Sequence, residues 1–282
     1  MVRLLTDSTS DLDAASAARL GVEVVPLRVI FGDASYRDGV DLTMEEFYQR
    51  LAQADALPTT SQPTPDDFLP FFRAAKEAGD TVVAVLLSGE LSGTVQSACI
   101  AKDLVEYDGI HLVDSRSAIT GLRLLVERAA ALRDAGRSAA EIAQELEALK
   151  SRVVILAMVD TLEYLFKGGR LSRAGMITGS LLNFKPIVTL ADGRLKVLGK
   201  ARGTAKGIDF ILDAMKKGAP VDASIPVYFG YTGSDEKCQD LMARVQELYH
   251  FPQTLVCPVG SVIGTHAGPG AGLITYLAEQ AD

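Results

Sequence analysis

The chain has 282 residues, of which 48% are hydrophobic, so it is long enough to form about two domains with apolar cores. Its 36 acidic and 28 basic residues give a formal net charge of −8, which opposes general attraction to nucleic acid or to anionic lipid headgroups. The three cysteines show no C-x-x-C spacing, and there is neither a signal-peptide pattern nor a membrane-length apolar run, so we expect a cytoplasmic protein with no integral membrane segment, disulfide framework or zinc cluster.

Residues 1–150 alternate short β-branched runs with amphipathic stretches, the order that is typical of a mostly parallel sheet covered by helices. The predicted strands are VRLL, VEVVPLRVIF, TVVAVLL and GIHLV, and the predicted helices cover 12–20, 44–53, 66–78, 94–106 and 118–135. Thr43 with Glu46 and Ser138 with Glu141 have capping-box spacing, and the second pair opens a helix that ends the first domain near Lys150.

Residues 151–282 have a different sequence pattern, which predicts a second, mixed α/β domain. The run KPIVTLADGRLKVLG reads as a β-hairpin turned at Asp192-Gly193. We further predict a buried strand VVILAMVD and a helix at 162–182 that is interrupted by a glycine break. After it we predict helices at 204–217 and 235–249, strands IPVYFGY, TLVCPV and SVIG, and a final helix from about Gly270. The fold class is therefore α/β, with a parallel-sheet domain at 1–150 and a mixed domain at 151–282.

Four clusters of serine, threonine and glycine are the informative feature of the chain: TDSTSD (6–11), TTSQPTP (59–65), SGELSGT (88–94) and GTHAGPGAG (264–272). Each is predicted to open a helix, where free N–H groups and the helix dipole can hold an anion. A single loop of this kind is more often only a helix cap, but four together favour a ligand crevice at the carboxyl ends of the strands.

Enzyme alternatives find little support in the residues. Ser92 and His266 could form part of a serine hydrolase, yet the sequence around Ser92 is not the G-x-S-x-G elbow of such enzymes. The chain also lacks a phosphate-binding P-loop and any pair of side chains with metal-ligand spacing. His266 could donate a hydrogen bond, titrate near neutral pH or serve only in packing, and these possibilities stay open on the residues alone.

The chain resembles the DegV family of bacterial fatty-acid-binding proteins over nearly its whole length. The matching blocks are TDSTSD (6–11), TSQP (60–63), LSGTVQSA (91–98), VDS (113–115), LEYLFKGGRLS (162–172), KPI (185–187), GKARG (199–203) and GTHAGPGAGL (264–273). The resemblance implies a two-domain carrier that takes no part in catalysis, needs no cofactor and encloses one long-chain fatty acid between its domains. A separate ATP-dependent fatty-acid kinase, a partner in phospholipid metabolism, would then phosphorylate the carboxylate.

The resemblance also implies roles for particular residues. Thr60, Ser61 and Ser92 match positions that hydrogen-bond the carboxylate, Gly93 offers a backbone N–H beside them, and His266 matches a histidine close to the carboxylate. Arg170 and Arg202 match arginines near the site entrance and the surface that engages the kinase. The chemistry agrees with this, because donors to the charged form allow a carboxylate to be buried.

A local excess of positive charge supports a partner surface. Residues 160–206 carry nine Lys or Arg and three acidic residues, a local charge of +6 that leaves −14 for the rest of the chain. A solvated basic face is the simpler interpretation, and docking to an acidic partner is the sharper one. Nucleic acid is disfavoured, since no aromatic residues are interleaved with the basic ones for base stacking. The candidate walls of an apolar slot for the fatty-acid tail are Leu86, Met158, Ile177, Leu181, Leu182 and Phe184.

Overall fold

The computed structural model describes residues 1–171 and 184–280, and it divides the chain into two compact units. Unit 1 comprises 1–43, 60–151 and 192–194, and unit 2 comprises 44–59, 152–191 and 195–282. Two parts of the chain thus lie in a different unit from their sequence neighbours. The segment 44–59 joins unit 2 because Tyr48 donates a hydrogen bond from its hydroxyl to the Val259 carbonyl oxygen at 3.1 Å.

The described strands and helices follow in chain order. The strands are β1 (Val2–Asp7), β2 (Val22–Val25), β3 (Arg28–Phe31), β4 (Ala34–Arg37), β5 (Thr59–Ser61), β6 (Thr81–Leu86), β7 (Ile110–Asp114), β8 (Val153–Met158), β9 (Phe184–Ala191), β10 (Arg194–Arg202), β11 (Val227–Tyr231), β12 (Thr254–Pro258) and β13 (Gly272–Leu277). The helices are α1 (Ala14–Leu20), α2 (Met44–Gln53), α3 (Pro65–Ala78), α4 (Thr94–Val105), α5 (Ile119–Asp134), α6 (Ala139–Leu149), α7 (Glu163–Lys167), α8 (Gly203–Lys217), α9 (Glu236–Tyr249) and α10 (Ser261–Ala267).

Unit 1 is built on a parallel four-stranded sheet with the order β2-β1-β6-β7. Its apolar core includes Leu5, Phe68, Phe72 and Ile110, each at most 1% exposed. Burial on both faces explains the continuous apolar run of β6, which has no alternation of polar residues. The predicted parallel-sheet part of the α/β fold is confirmed.

The run VEVVPLRVIF was predicted as one strand, and that prediction is wrong. It forms β2 and β3, which belong to different sheets, with Pro26 between them. Proline lacks the N–H that a sheet ladder needs, so the run breaks there. β3 pairs with β4 and β5 in a separate three-stranded sheet, and this places Thr60 and Ser61 on β5.

One of the two predicted capping boxes is confirmed. Ser138 and Glu141 form the predicted capping box, in which the Ser138 N–H donates to the Glu141 carboxylate at 2.9 Å. A second box, of Thr64 with Asp67, opens α3 and was not predicted. Helix α1 is capped by Asp13, and Asp7 caps the short helical turn Ser8–Ser10 that follows β1.

Unit 2 contains a mixed six-stranded sheet with the order β10-β9-β8-β13-β11-β12. β9 and β10 form the predicted hairpin, and Asp192 and Gly193 at its turn have φ angles of 53° and 77°. Two consecutive positive φ angles match the twist of a tight β-hairpin, which is why an Asp-Gly pair suits this turn. The mixed part of the predicted fold class, with its hairpin, is confirmed.

Two predictions near the C-terminus are wrong. The segment SVIG, predicted as a strand, begins helix α10, and the segment predicted as a final helix is strand β13. β13 is antiparallel to both β8 and β11, and all six of its residues are buried. A short apolar run does not distinguish a buried strand from a buried helix, and only these two partners decide the matter.

Candidate functional site: two groups of polar donors

The carboxyl ends of β1 and β6 lie side by side at the switch point of the parallel sheet in unit 1. The chain leaves β1 toward β2 on one side, and it leaves β6 toward β7 on the other, so the connections diverge at this point. A doubly wound sheet binds its ligands at such a switch point. The segments that follow the two strands, Ser8–Ser10 and 87–93, are the polar loops that the sequence singled out.

The loop after β6, residues 87–93, is folded tightly upon itself. The N–H groups of Leu91 and Ser92 both donate to the carbonyl oxygen of Ser88, at 3.0 and 3.2 Å. The Ser92 hydroxyl shares a 2.9 Å hydrogen bond with the Thr94 hydroxyl, and Gly93 is the N-cap of α4. Ser92 and Gly93 thus lie at the amino end of a 12-residue helix, where the helix dipole favours negative charge.

Gln62 links the two predicted donor segments of unit 1. The N–H of Gly93 donates to the side-chain oxygen of Gln62 at 3.1 Å, and the Gln62 amide nitrogen donates to the Ser97 hydroxyl at 3.3 Å. The structure therefore brings the end of β5, with the half-buried Thr60 and Ser61, to the start of α4. Sequence reasoning missed Gln62, although it lies inside the matched block TSQP.

Glu90 is a carboxylate in a loop that is expected to accept an anion. Its side chain is exposed and pairs with Arg194, whose Nε lies 2.8 Å from Oε2. The hydrogen bond from Arg194 lowers the pKa of Glu90, so the carboxylate stays ionised and bound to that guanidinium. The negative charge of Glu90 is therefore paired with the guanidinium of Arg194.

His266 lies in the last turn of α10 in unit 2 and is only 8% exposed. Desolvation by burial, and next the positive charge of Arg170, lower the pKa of His266 to about 4. The imidazole is therefore neutral at physiological pH and can donate one hydrogen bond without carrying a charge. The loop after it leads into strand β13, so the prediction that GTHAGPGAG opens a helix is wrong.

Arg170 and His266 belong to one group of residues in unit 2. Arg170 donates from a guanidinium nitrogen to the carbonyl oxygen of Gly168 at 2.7 Å. A Cβ added to Gly168 would lie only 2.2 Å from Nδ1 of His266, so that glycine allows the imidazole to approach the backbone. Burial lowers the pKa of Arg170, which places this guanidinium in a partly desolvated position beside the histidine.

Arg202 has different surroundings from Arg170. It is exposed at the end of β10, where alternate residues share one solvent-facing side of an edge strand. That exposed side carries Arg194, Lys196, Leu198, Lys200 and Arg202, which we call the β10 basic stripe. Lys200 also lies 4.9 Å from the ring centre of Phe184. The +6 charge of the segment is thus partly organised as a row of cations along one strand.

The predicted tail-slot residues divide into three sets. Leu86 is buried in the core of unit 1, and Met158 is buried in the core of unit 2. Phe184 is half-buried beneath Lys200. Ile177, Leu181 and Leu182, together with the basic residue Arg173, lie outside the described residues.

The described residues offer little to the alternative chemistries. The Ser92 hydroxyl is paired with another hydroxyl, and a hydroxyl is no general base for a hydrolase. In residues 1–171 and 184–280, no group of three or more His, Cys, Asp or Glu side chains is suited to a metal ion. Over the same ranges, no helix is both long enough and apolar enough to cross a membrane.

The chain is a two-unit α/β protein with hydroxyl and backbone donors at a parallel-sheet switch point and with a neutral buried histidine. These features are typical of a binding protein. Comparison with known sequences assigns it further: residues 1–279 match the DegV family, described as uncharacterised protein, and the chain belongs to that family. A DegV domain-containing protein of Caldanaerobacter subterraneus subsp. tengcongensis is 38% identical over 98% of both chains.

Solved structures of the same fold include proteins described as binding fatty acids. One, described as fatty acid binding of a DegV family protein from Thermus thermophilus, is 39% identical and has a TM-score of 0.87, covering 98% of this chain and 99% of that one. Another, the Streptococcus pneumoniae Fatty Acid Kinase (Fak) B3 protein loaded with linoleic acid, is 26% identical with a TM-score of 0.85, covering 99% of this chain and 100% of that one. Both descriptions refer to fatty-acid binding or to a bound fatty acid, and neither favours the hydrolase alternative.

Proposed function

We propose that this chain binds one long-chain fatty acid and presents its carboxylate to an ATP-dependent fatty-acid kinase, which forms the acyl phosphate. The observation that carries the proposal is the 39% identity, over 98% of the chain, to a family member described by its fatty-acid binding. The kinase step is supported more narrowly, by likeness to one protein whose description names a fatty-acid kinase.

The chemistry of the two donor groups suits a carboxylate. In unit 1, Thr60, Ser61 and Ser92 carry hydroxyls, and Gly93 carries an N–H at the start of α4. In unit 2, His266 is a neutral donor beside the positive charge of Arg170. Such groups stabilise a carboxylate by hydrogen bonds and charge and do not exchange protons with it, because neither group contains a basic side chain that titrates at neutral pH.

The first test is denaturing mass spectrometry of the purified protein. We expect about one equivalent of a fatty acid of long chain to co-purify. Removing it lowers the melting temperature, and adding it back restores that temperature, since a ligand bound only to the native state adds stability. A lipid-free preparation whose melting temperature does not respond to added fatty acid contradicts the proposal.

The second test separates carrying from delivery. In a reconstituted assay with a cognate kinase and ATP, the loaded protein is expected to yield acyl phosphate, whereas free fatty acid at the same concentration yields much less. A generic acyl ester serves as the control for the enzyme alternative. Hydrolysis of that ester, abolished by Ser92→Ala, would make the chain an esterase.

A further inference from the structure

Asp7 is a buried carboxylate that the proposed contacts with the fatty acid do not use. It ends β1 and is 0% exposed. Its Oδ2 accepts a hydrogen bond from the Leu87 N–H at 2.7 Å, and its Oδ1 accepts from the Thr9 N–H at 3.0 Å and from the Thr9 hydroxyl at 2.6 Å. Burying an anion is costly, and three donors on its two oxygens offset that cost while the group is ionised.

The Leu87 N–H is the first donor of the loop 87–93. Further along that loop, the N–H groups of Leu91 and Ser92 donate to the carbonyl oxygen of Ser88, the neighbour of Leu87. The carboxylate of Asp7 is therefore one of the groups that set the position of Ser92, and it acts through Leu87 and Ser88. Other hydrogen bonds hold the middle of the loop: Ser88 donates from its N–H to the Ser117 carbonyl oxygen at 2.9 Å and from its hydroxyl to the Gly193 carbonyl oxygen at 2.8 Å, and the Gly89 N–H donates to Asp114 at 3.2 Å.

We propose that Asp7 is a positioning residue for the loop 87–93: its carboxylate holds the start of the loop through the Leu87 N–H, and its protonation loosens the loop and weakens fatty-acid binding. The binding half of this inference rests on the proposed function. The positioning half concerns the protein alone and does not depend on the ligand.

The electrostatics place the protonation of Asp7 in an accessible range. Desolvation by burial raises the pKa of Asp7 most, the hydrogen bonds from Leu87 and Thr9 oppose this, the charge of Asp38 raises it further, and the result is about 6. Asp38 is the charged group that acts on Asp7 from the chain after β4, and Leu87 and Thr9 are uncharged. His266, with a pKa near 4, stays neutral between pH 5 and 7.5 and adds no proton uptake there.

Asp7→Asn tests the proposal because asparagine has the shape of the protonated acid. Its oxygen can still accept from Thr9, but its NH2 group then faces the Leu87 N–H, and two donors cannot bond. At pH 7.5 we expect the variant to bind oleic acid about tenfold more weakly, or worse, as for a lost hydrogen bond to a charged group. At pH 5 the wild type has lost most of that advantage, so the ratio of the two affinities falls toward one.

Two further variants keep the test independent of a folding defect. Asp114→Ala removes the bond to Gly89 but leaves Asp7 intact, so it should keep the pH profile of the wild type whatever its affinity. Thr9→Val removes one donor to the Asp7 carboxylate, and it should move the midpoint of the profile to higher pH. A Thr9→Val midpoint equal to that of the wild type overturns the proposal. So does an affinity ratio of wild type to Asp7→Asn that is constant from pH 5 to 7.5.

Amide hydrogen exchange of the ligand-stripped protein tests the positioning half directly. At one fixed pH above 7, residues 87–93 should exchange faster in Asp7→Asn than in the wild type, while strand β7 exchanges alike in both. Equal exchange of the loop in the two proteins overturns the role of Asp7. If the wild type binds no fatty acid at pH 7.5, the proposed function fails, and this exchange measurement still decides whether Asp7 holds the loop.

Discussion

The backbone N–H of Gly93 donates to the side-chain oxygen of Gln62 at 3.1 Å. The Gln62 oxygen therefore shows where an acceptor lies when it bonds to this N–H. A Cβ added to Gly93 would lie 2.3 Å from that oxygen. The φ of Gly93 is −76°, which alanine tolerates.

Gly93→Ala is therefore expected to exclude an acceptor from the position of the Gln62 oxygen while changing the free energy of unfolding by no more than about 1 kcal/mol. Affinity for a fatty acid, measured by displacement of a fluorescent fatty acid, should fall about tenfold, as for one lost charged hydrogen bond. The matched control is Gln62→Ala, which leaves the N–H accessible and should keep or raise the affinity. Equal losses in both variants would show that the Gly93 N–H does not bind the ligand.

Ser92→Ala and Thr60→Val remove single hydroxyls from the donor group of unit 1. Each is expected to weaken fatty-acid binding by roughly 1 to 3 kcal/mol, because a buried carboxylate then lacks a donor. Binding of the neutral fatty alcohol of the same chain length should change much less. If acid and alcohol lose affinity equally, the two hydroxyls serve the fold and not the anion.

Gly168→Ala should disturb His266 directly. The added Cβ would lie 2.2 Å from Nδ1 of the imidazole and 3.0 Å from the Tyr164 carbonyl oxygen, and overpacking of this kind costs about 1 to 3 kcal/mol. The variant should also bind fatty acid more weakly and shift the imidazole NMR signals of His266.

Its neighbour Gly169 provides the control for Gly168→Ala. Gly169 has a φ of +73° and open space around its Cβ position. Gly169→Ala is expected to cost about 1 to 2 kcal/mol of backbone strain without moving the imidazole signals. Fatty-acid affinity that falls alike in both variants would assign the effect to stability alone.

Asp7 and His266 give the stability of the protein two opposing dependences on pH. Burial raises the pKa of Asp7 from 3.8 to about 6. The contribution of Asp7 to the free energy of unfolding is therefore fully present below pH 3.8 and is lost as the pH rises through 6. Burial lowers the pKa of His266 from 6.5 to about 4, so its contribution is present above pH 6.5 and is lost as the pH falls toward 4. Each contribution amounts to roughly 3 kcal/mol. In the wild type, the loss of one with rising pH is largely offset by the gain of the other.

Single variants should reveal these two dependences in urea unfolding between pH 4 and 7.5. Relative to the wild type, Asp7→Asn is expected to gain stability as the pH rises, because it lacks the group that loses stability in that direction. His266→Asn is expected to gain stability relative to the wild type as the pH falls. A stability difference that is independent of pH for either variant would contradict the burial that the structure gives to that residue.

The β10 basic stripe leads to a prediction about the kinase. Arg202→Glu should slow kinase-dependent phosphorylation of the bound fatty acid several-fold and leave fatty-acid binding unchanged, and added salt should weaken the wild-type reaction in the same direction. Lys216→Glu makes the same charge change on an exposed position of α8, outside the stripe, and is the control. Equal rates for the two variants would leave the stripe as a solvated face.

Arg170 requires a separate expectation, although sequence reasoning assigned it to the partner surface together with Arg202. It is partly buried, bonds to Gly168 and acts electrostatically on His266. A reversed charge there should therefore impair fatty-acid binding as well as phosphorylation. If phosphorylation fails while fatty-acid binding is intact, Arg170 belongs to the surface that engages the kinase.

The sequence by itself determined the features whose causes lie within a few residues. The capping box of Ser138 and Glu141 needs only its own helical turn, and the Asp192-Gly193 turn needs only two residues that tolerate positive φ. The family blocks likewise lie in short contiguous stretches. These signals are local, so they can be read without knowing what packs against them.

Only the tertiary structure decided the features that depend on distant partners. β13 is a strand because β8 and β11 flank it, and Asp7 reaches its hydrogen-bond donor at Leu87 only because β1 and β6 are neighbours. Burial and, second to it, the charge of Arg170 lower the pKa of His266, although 96 positions separate Arg170 from His266 in the sequence. Burial and electric field depend on distance through space, and a chain sets that distance only when it folds.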